Sequence, residues 1–440
     1  MEFFTRFGSA VYYMFTNPEP SQVAAQVMIT VIMLVILAVF LWAIISQTVH
    51  KSNMDPIVAD SNVKKQTALR IANLDKVNYV SQRSLFSDLI NKLAENERFL
   101  VNLCPLTASL GGYIGPAREG VFNASYYLRK ALRAGIRSFV LPISIYYDDN
   151  KQPPNWPKSR SPAIVTRDND GKIVSLNGLS VERFCTLLTQ YRSENAAQIE
   201  DPILIYLHAV EGHTPDPVMD EKAYVKFMND VAKELKPLDP YCLKTLGPYG
   251  SAVGGKRANE ILTQTPLTDL RNKILIFTNF DVDITTKDAY SSMTPRLFDY
   301  ANFVYKPVGA VDMATAGSLG ARSVRLGDVK GSKVDWKSQA RINWHVTLQD
   351  SLSSLPEGGA VDEVTKTGIQ AIPIPFLFTA DPNGGDLIKP ILDQWGGYAF
   401  RLKEPGARYA QPAPVVPQTP STRLNARVAP DMQPGQLAVA

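Results

Sequence analysis

The chain has 440 residues, with 46 basic and 42 acidic side chains and a net charge of +4. This length can bury a large core in one big domain or two medium ones, whereas so small and dispersed a positive charge argues against nucleic acid as a partner. The three cysteines are far apart and lack CxxC spacing, which argues against a disulfide framework or a zinc knuckle and predicts free thiols in a reducing compartment.

Residues 1–20 carry an apolar stripe. Phe3, Phe7, Val11 and Phe15 recur every four residues, which predicts an amphipathic helix. Such a stripe is typical of a helix that lies on a membrane surface, and it equally suits a helix that packs on a partner protein. The stripe alone does not decide between these two surfaces.

The strongest signal in the sequence is an apolar segment at 21–49 that contains no charged residue. Its central run, VMITVIMLVILAVFLWAII (27–45), is long enough to cross a bilayer, so we predict a transmembrane helix. A cleaved signal peptide is the alternative, but such peptides have a basic leader and a shorter apolar run. Lysines follow the segment while only Arg6 precedes it, which predicts a single-pass membrane protein whose large C-terminal part is cytosolic.

Residues 50–98 are polar and charged, with helical spacing of their apolar side chains. Leu85, Leu89 and Leu93 follow one another at four-residue intervals after a candidate cap at Ser84. We expect a helical stalk or adaptor that leads from the membrane segment to a globular domain.

Residues 99–405 alternate short apolar runs with helical stretches. The runs are FLVNLC (99–104), SFVLPISI (138–145), AIVT (163–166), ILIYL (203–207), KILIFTNF (273–280), ANFVYKP (301–307) and GIQAIPIPFLF (368–378). Apolar residues return at helical spacing between several of them, as in 181–191 and 221–235. Strand and helix repeated over this length predict an α/β domain with a parallel sheet, most economically an eight-stranded TIM-like barrel.

The last segment, 406–440, contains proline throughout, little apolar bulk and no periodicity. It cannot build a core, so we expect an extended tail. Either a partner binds it as a strap or it is a free disordered tail.

Several stretches together resemble the catalytic barrel, the X and Y regions, of eukaryotic-type phosphoinositide-specific phospholipase C. YYLRKALRAGIRSFVL (126–141) is similar to the helix and Gly-x-Arg turn that lead into that family's second barrel strand. DPILIYLH (201–208) resembles its fourth strand, and PLTDLRNKILIFTN (266–279) resembles the entry to its fifth. Residues 367–405 resemble the close of the barrel. Because order and spacing agree over 99–405, the resemblance implies a barrel of the PLC-like phosphodiesterase type.

The chemistry of that family requires two histidines, together with carboxylates and an asparagine around calcium, at the C-terminal ends of barrel strands. The resemblance places the first His-Asn pair near Pro105 and Leu106. The remaining family positions fall on Val140 and Pro142 in the second strand, near Thr166 for the second histidine, and on His208 in the fourth strand. The phosphate-holding lysines fall on Phe277 and Asn279.

These substitutions predict a pseudoenzyme. No histidine lies between His50 and His208, so two barrel histidines are unavailable at the required strands. Valine and proline cannot bind calcium, which requires oxygen ligands and anionic charge. We therefore predict no catalytic residue and no cofactor, although the family resemblance alone would imply calcium.

A different site is conceivable at the ends of the fourth and fifth strands. His208, His213, Asp281 and Asp283 follow neighbouring strands, and two imidazoles with two carboxylates suit a transition-metal site that activates water. The alternative is that these are solvated loop residues and capping acids.

Three functions follow from these patterns. The leading hypothesis is a membrane-anchored, inactive barrel that links a lipid bilayer to protein partners in a larger assembly, through the barrel surface and the C-terminal tail. One setting that fits is the virion of a large DNA virus with an internal membrane, where such a chain is a minor capsid or membrane protein. The alternatives are an active membrane-tethered phosphodiesterase with relocated metal ligands, and a receptor that binds a lipid headgroup without cleaving it.

Overall fold

The computed structural model describes residues 12, 33–44, 56–75, 86–116, 119–145, 161–166, 173–196, 199–209, 221–243, 258–290, 292–307, 320–325, 329, 334–348, 360–377, 393–396 and 398–412. The strands are β1 (Leu103–Ser109), β2 (Tyr113–Ile114), β3 (Val121–Phe122), β4 (Ser138–Ile145), β5 (Pro162–Ile164), β6 (Leu179–Ser180), β7 (Ile203–Ala209), β8 (Ile274–Thr278), β9 (Phe303–Pro307), β10 (Gly320–Arg325), β11 (Trp344–Leu348), β12 (Ile372–Pro375) and β13 (Phe400–Leu402). The α-helices are α1 (Pro56–Leu74), α2 (Phe86–Asn91), α3 (Ala124–Arg133), α4 (Val181–Glu194), α5 (Glu221–Glu234), α6 (Ala258–Thr263), α7 (Leu297–Tyr300), α8 (Trp336–Ile342) and α9 (Ala360–Lys366).

One large sheet organises the chain. Its main order is β11-β10-β9-β8-β7-β4-β1-β12, and every neighbouring pair in this order is parallel. A parallel bridge between Val346 and Ala371 connects the two ends of the order. The backbone N–H of Thr347 donates to the carbonyl of Ala371 at 2.8 Å, and the N–H of Ala371 donates to His345 at 3.1 Å. The predicted α/β class with a parallel sheet is confirmed.

Two predicted strands differ from the structure. The run 99–104 predicts a strand, whereas Leu100–Asn102 is a 3-10 helix and β1 begins only at Leu103. The run 163–166 predicts a strand of the parallel set, but β5 is antiparallel to the end of β4. In both cases the apolar run does lie in the core. The residue at which a strand starts and the direction in which it runs depend on its pairing with other strands.

Two further strands, β10 and β11, carry no apolar run and were not predicted. The sequence of β10, GARSVR, has two arginines, and β11 is the short segment WHVTL. Each obtains its regular structure by pairing with its neighbours in the parallel order, because a strand's side-chain packing counts for more than its intrinsic propensity.

Two hydrophobic cores lie on opposite faces of the sheet, and β7 illustrates how the sequence builds both. Ile203, Ile205 and Leu207 belong to the outer core, under the long helices, while Leu204 and Tyr206 belong to the inner core. Successive strand side chains point to opposite faces, so a strand buried on both sides reads as a continuous apolar run. Helix α2 and the segment around Phe99 add to the inner core at the amino-terminal end of β1.

The turn between α3 and β4 is fixed by a buried ion pair. Gly135 has a φ of 94°, a left-handed conformation that suits glycine at the end of a helix. Arg137 follows it with 1% exposure, and its Nε lies 2.8 Å from Oδ2 of Asp201. Its Nη1 donates to the carbonyls of Leu132 and Ile136. Three acceptors therefore satisfy a charge that would otherwise destabilise this core.

Part of the predicted stalk 50–98 packs against the α/β domain. Leu74, at the end of α1, is 2% exposed in the outer core. Asp75 accepts a hydrogen bond from the Tyr126 hydroxyl at 2.9 Å and pairs with Lys130 at 2.8 Å. These contacts hold the end of α1 on α3.

Of the predicted transmembrane segment 21–49, the structure describes residues 33–44, which are helical and exposed. Within the described part of the chain, no helix combines the length and apolar character needed to cross a bilayer. The rest of that segment and nearly all of 1–20 lie outside the described residues.

The start of the predicted tail 406–440 is held by the domain. The backbone N–H of Tyr409 donates to Asn102 Oδ1 at 2.7 Å, and Asn102 Nδ2 donates back to the Tyr409 carbonyl at 2.7 Å. The Tyr409 ring lies 5.9 Å from that of Phe99. Residues 413–440 lie outside the described part.

A buried phenol offers a test of this packing. Tyr127 is 0% exposed between Phe139 and Phe376, and its hydroxyl has no hydrogen-bond partner among the described residues. An unsatisfied buried hydroxyl is destabilising, so Tyr127→Phe should raise the free energy of unfolding by about 1 kcal/mol in urea denaturation.

Tyr113→Phe is the matched control, because the Tyr113 hydroxyl donates to Pro116 O at 2.9 Å and accepts from Gly120 N at 2.8 Å. Its loss should destabilise the protein by about 1 to 2 kcal/mol. If Tyr127→Phe instead destabilises the protein, the Tyr127 hydroxyl has a hydrogen-bond partner in solution.

Candidate functional site

The site expected in a parallel α/β sheet lies at the carboxyl ends of its strands. Strand β1 ends at Ser109, so the predicted positions Pro105 and Leu106 lie in its amino-terminal half. Pro105 is opposite Phe400, and Leu106 is 1% exposed in the outer core. The structure therefore places both positions before the carboxyl end of β1, because β1 starts later than the apolar run 99–104 predicts.

The residues that actually follow β1 are Leu110 and Gly111. Leu110 is buried with a φ of 52°, and the backbone N–H of Gly111 donates to the carbonyl of Val140 at 2.9 Å. This turn brings the end of β1 onto the middle of β4. Neither residue has a side chain that transfers protons or binds a cation.

Val140 and Pro142 lie inside β4, next to β7. Val140 is level with Tyr206 in the inner core, and Pro142 is level with His208. The Pro142 carbonyl accepts from the backbone N–H of Val165 at 3.2 Å. Because β5 runs antiparallel here, the predicted position Thr166 lies beside the middle of β4 as a buried loop residue with 5% exposure.

His208 is the one predicted site residue with an imidazole in the described part of the chain. Its Nδ1 lies 3.1 Å from the hydroxyl of Tyr305, two strands away, and the two rings are nearly parallel at 8°. Although the residue keeps some exposure, burial lowers the pKa of His208 to about 4. The imidazole is therefore neutral at pH 7.

Below His208 the inner face of the sheet is filled by aromatic rings. Phe277 stacks between Tyr206 and Phe303, with ring centroids at 4.6 Å and 4.3 Å. Trp344 packs against Phe277 at 5.6 Å, and its Nε1 donates to the Tyr206 hydroxyl at 2.7 Å. All four side chains are fully buried. Phe277, where the resemblance expects a lysine, is thus a central packing residue.

Asn279, the second position expected to hold lysine, connects two strand ends. Its Oδ1 accepts from the backbone N–H of Ala209 at 2.6 Å, and its Nδ2 donates to the Ala209 carbonyl at 3.0 Å. These bonds satisfy both ends of the amide and clamp the end of β7 to the end of β8. The side chain therefore performs a structural task at the position where phosphate binding was expected.

The alternative metal site of His208, His213, Asp281 and Asp283 is tested only in part. Asp281 is exposed and its backbone N–H donates to the Tyr224 hydroxyl, while Asp283 is half-buried in a 3-10 helix. Among the residues that the structure describes, no three histidine, cysteine or acidic side chains come together as a metal centre. His213 lies outside these residues, so the four-residue hypothesis stays a prediction.

Three residues of this region, Tyr206, Tyr305 and Trp344, were not singled out in the sequence. Tyr206 and Tyr305 lie within predicted apolar runs, where an aromatic residue is indistinguishable from ordinary core. Trp344 precedes His345 in β11, a strand that the sequence did not predict. Their hydroxyl and indole groups form hydrogen bonds to residues on distant strands, which the sequence pattern does not reveal.

Comparison with known proteins found likeness only among solved structures. No protein-family model and no curated protein matches the chain. PLC21 from L. pealei is 14% identical with a TM-score of 0.47, covering 71% of this chain and 38% of its own. PLC21 from S. officinalis is 15% identical with a TM-score of 0.44 and the same coverage. This chain thus spans well under half the length of either.

A bacterial structure covers most of its own length. The calcium-dependent phosphoinositol-specific phospholipase C from Pseudomonas sp is 15% identical with a TM-score of 0.41, covering 70% of this chain and 96% of its own. These neighbours are phospholipases C, and the likeness extends to their general fold alone.

The lowered pKa of His208 predicts a pH dependence of stability. The folded state takes up this proton near pH 4 and the unfolded state near the ordinary value of 6.5, so the unfolded state binds more protons between them. The free energy of unfolding should therefore fall as pH drops from 6.5 towards 4, and less so in His208→Gln. Thermal denaturation over this range measures the difference.

Histidine NMR titration provides a second measurement. A signal absent from His208→Gln should titrate well below the ordinary range of imidazoles. A midpoint near 6.5 for that signal, or identical pH profiles of stability for both proteins, would contradict the assignment of His208 as a neutral, enclosed group.

Proposed function

We propose that this chain is a membrane-anchored, catalytically inactive barrel of the PLC-like phosphodiesterase type that links a lipid bilayer to a protein assembly. In this proposal the parallel strands close into an eight-stranded barrel through the bridge between Val346 and Ala371. The barrel serves as a structural or binding module, and the segment around 21–49 is its anchor.

The observation that carries the proposal is that, among the described residues, β1, β4, β7 and β8 end without a side chain that titrates near neutral pH. Phosphodiester cleavage by general acid–base catalysis needs groups that gain and lose protons near neutral pH. The described residues that end these strands are Ser109, Ile145, Ala209 and Thr278, none of which titrates, and His208 beside them has a pKa of about 4. An imidazole that is neutral and bonded to Tyr305 is a poor general acid at pH 7.

The described residues at these strand ends do not fit calcium. This cation takes six to eight oxygen ligands, mostly carboxylates. Val140 and Pro142 provide no side-chain oxygen, and the amide oxygen of Asn279 already accepts a hydrogen bond from the backbone of Ala209. We therefore derive no catalytic step through calcium in this protein.

The anchoring part of the proposal is supported by the distribution of exposed apolar side chains. Large apolar residues exposed in the described chain are concentrated in the helical segment 33–44, as for Phe40 at 63% and Trp42 at 70%. An exposed apolar helix is typical of a surface covered by lipid or protein. Downstream, Leu74 and Asp75 hold the end of α1 on the domain.

A linking role also suits the C-terminal end. Tyr409 and Asn102 fix the point at which the proline-rich residues leave the domain. A defined exit point is useful for a strap that binds a protein partner, as in the shell of a membrane-containing virus particle. The proposal includes such a virion as one setting.

An activity assay tests the proposal. The full-length protein should release no product from phosphatidylinositol, phosphatidylinositol 4,5-bisphosphate or glycerophosphodiesters, with or without added calcium. Metal analysis of the same preparation should find no stoichiometric transition metal. Turnover that His208→Gln abolishes while Asp269→Asn, on the exposed surface, leaves unchanged would instead establish a phosphodiesterase.

Cross-linking mass spectrometry on the native membrane or particle tests the linking role. We expect abundant cross-links from the exposed surface of 99–405 and from 406–440 to other proteins. Isolated monomers, with cross-links only within the chain, would contradict this role even if the chain is inactive.

A further inference from the structure

A cavity lies at the opposite end of the domain from the strand ends just described. Its volume is about 330 Å³, and β13, the end of α9 and the segment after β13 form its walls. The backbone N–H of Lys403 in this wall donates to the carbonyl of Asn102, immediately before β1. The cavity therefore borders the amino-terminal end of β1.

The ionisable side chains of this wall are mostly cationic. Lys366, Arg401, Lys403 and Arg408 line the cavity, against the single acid Glu404. Lys366 and Arg401 have no ion pair with a carboxylate in the described part of the chain. Arg401 also has a buried Nε without a hydrogen-bond acceptor there.

The remaining two cations are held in place by the domain. Arg408 donates from Nε to the Lys403 carbonyl at 2.7 Å and from Nη1 to Glu97 at 3.2 Å. Lys403 is 1% exposed and donates to Ala340 O at 2.5 Å. Burial lowers the pKa of Lys403 to about 7, so its amine is only partly charged at neutral pH.

The guanidinium of Arg401 is oriented rather than loose. Its Cζ lies 5.7 Å from the ring centroid of Trp395, and Trp395 is itself fixed by donating from Nε1 to Cys104 O at 3.0 Å. A planar guanidinium held against an aromatic ring keeps its N–H groups available for an oxyanion.

We propose that this cavity binds a phosphate-type oxyanion, with Arg401 and Lys366 as its direct partners and Arg408 beside them. Guanidinium groups form paired, charge-assisted hydrogen bonds to phosphate. Such a ligand would supply the acceptor that Arg401 Nε lacks among the described residues. The ligand is a soluble phosphate ester or a phospholipid headgroup. The inference is independent of the proposed function, because the site lies away from the strand ends that decide catalysis.

Isothermal titration calorimetry of the full-length protein with inorganic pyrophosphate, at constant ionic strength, tests the site. We expect wild-type binding in the micromolar to millimolar range and a loss of about tenfold in affinity in Arg401→Gln. Lys366→Gln, which changes an exposed side chain, should also weaken binding without affecting folding. Arg183→Gln is the matched control, since it removes an exposed arginine from α4 and should leave the affinity unchanged.

Vesicles separate the two sources of phosphate. Wild type and Arg401→Gln are compared on phosphatidylcholine vesicles with and without phosphatidic acid, which subtracts any binding through the apolar segment 33–44. Binding to phosphatidic acid that depends on Arg401 identifies a headgroup, while pyrophosphate binding alone identifies a soluble ligand. Absence of pyrophosphate binding, or equal losses in Arg401→Gln, Lys366→Gln and Arg183→Gln, would overturn the proposal.

Discussion

The inner face of the sheet is filled largely by strand side chains, because the long helices cover the outer face, while α2, α6 and the segment around Phe99 add to the inner core. Phe277 at the centre of that face stacks on Tyr206 and Phe303 and packs on Trp344. Apolar burial and dispersion between these rings stabilise the fold. Because the packing excludes water, each polar group within it needs a hydrogen-bond partner from the protein. The Trp344 indole finds one in the Tyr206 hydroxyl.

This packing sets the environment of the side chains at the carboxyl ends of β7 and β8. His208 lies directly above the aromatic layer, and enclosure together with Tyr305 leaves its imidazole neutral. Asn279 is committed to Ala209, which closes the adjacent strand ends. Among the described residues, these strand ends are therefore occupied by packed and hydrogen-bonded side chains.

Among the described residues, several buried charged and polar side chains lie at the other end of the sheet. Arg137 and Asp201 pair before β4 and β7, and the amide of Gln370 donates to the carbonyls of Val101, Ala340 and Asn343. Lys403 is buried in the same region. In folds of this kind the amino-terminal end generally serves stability. Here it also carries the cationic cavity, so the end that is normally structural has the stronger potential to bind a ligand.

The sequence by itself determined the α/β alternation, because a strand buried on two faces must be apolar throughout, as in β7 and β8. It also determined that no histidine lies between His50 and His208, while the lack of a catalytic histidine pair stays a prediction from the resemblance. Only the tertiary structure decided that β1 begins at Leu103, that β5 runs antiparallel and that His208 meets Tyr305, 97 residues away. Strand direction, register and partners across strands depend on contacts between distant segments, which local periodicity does not encode.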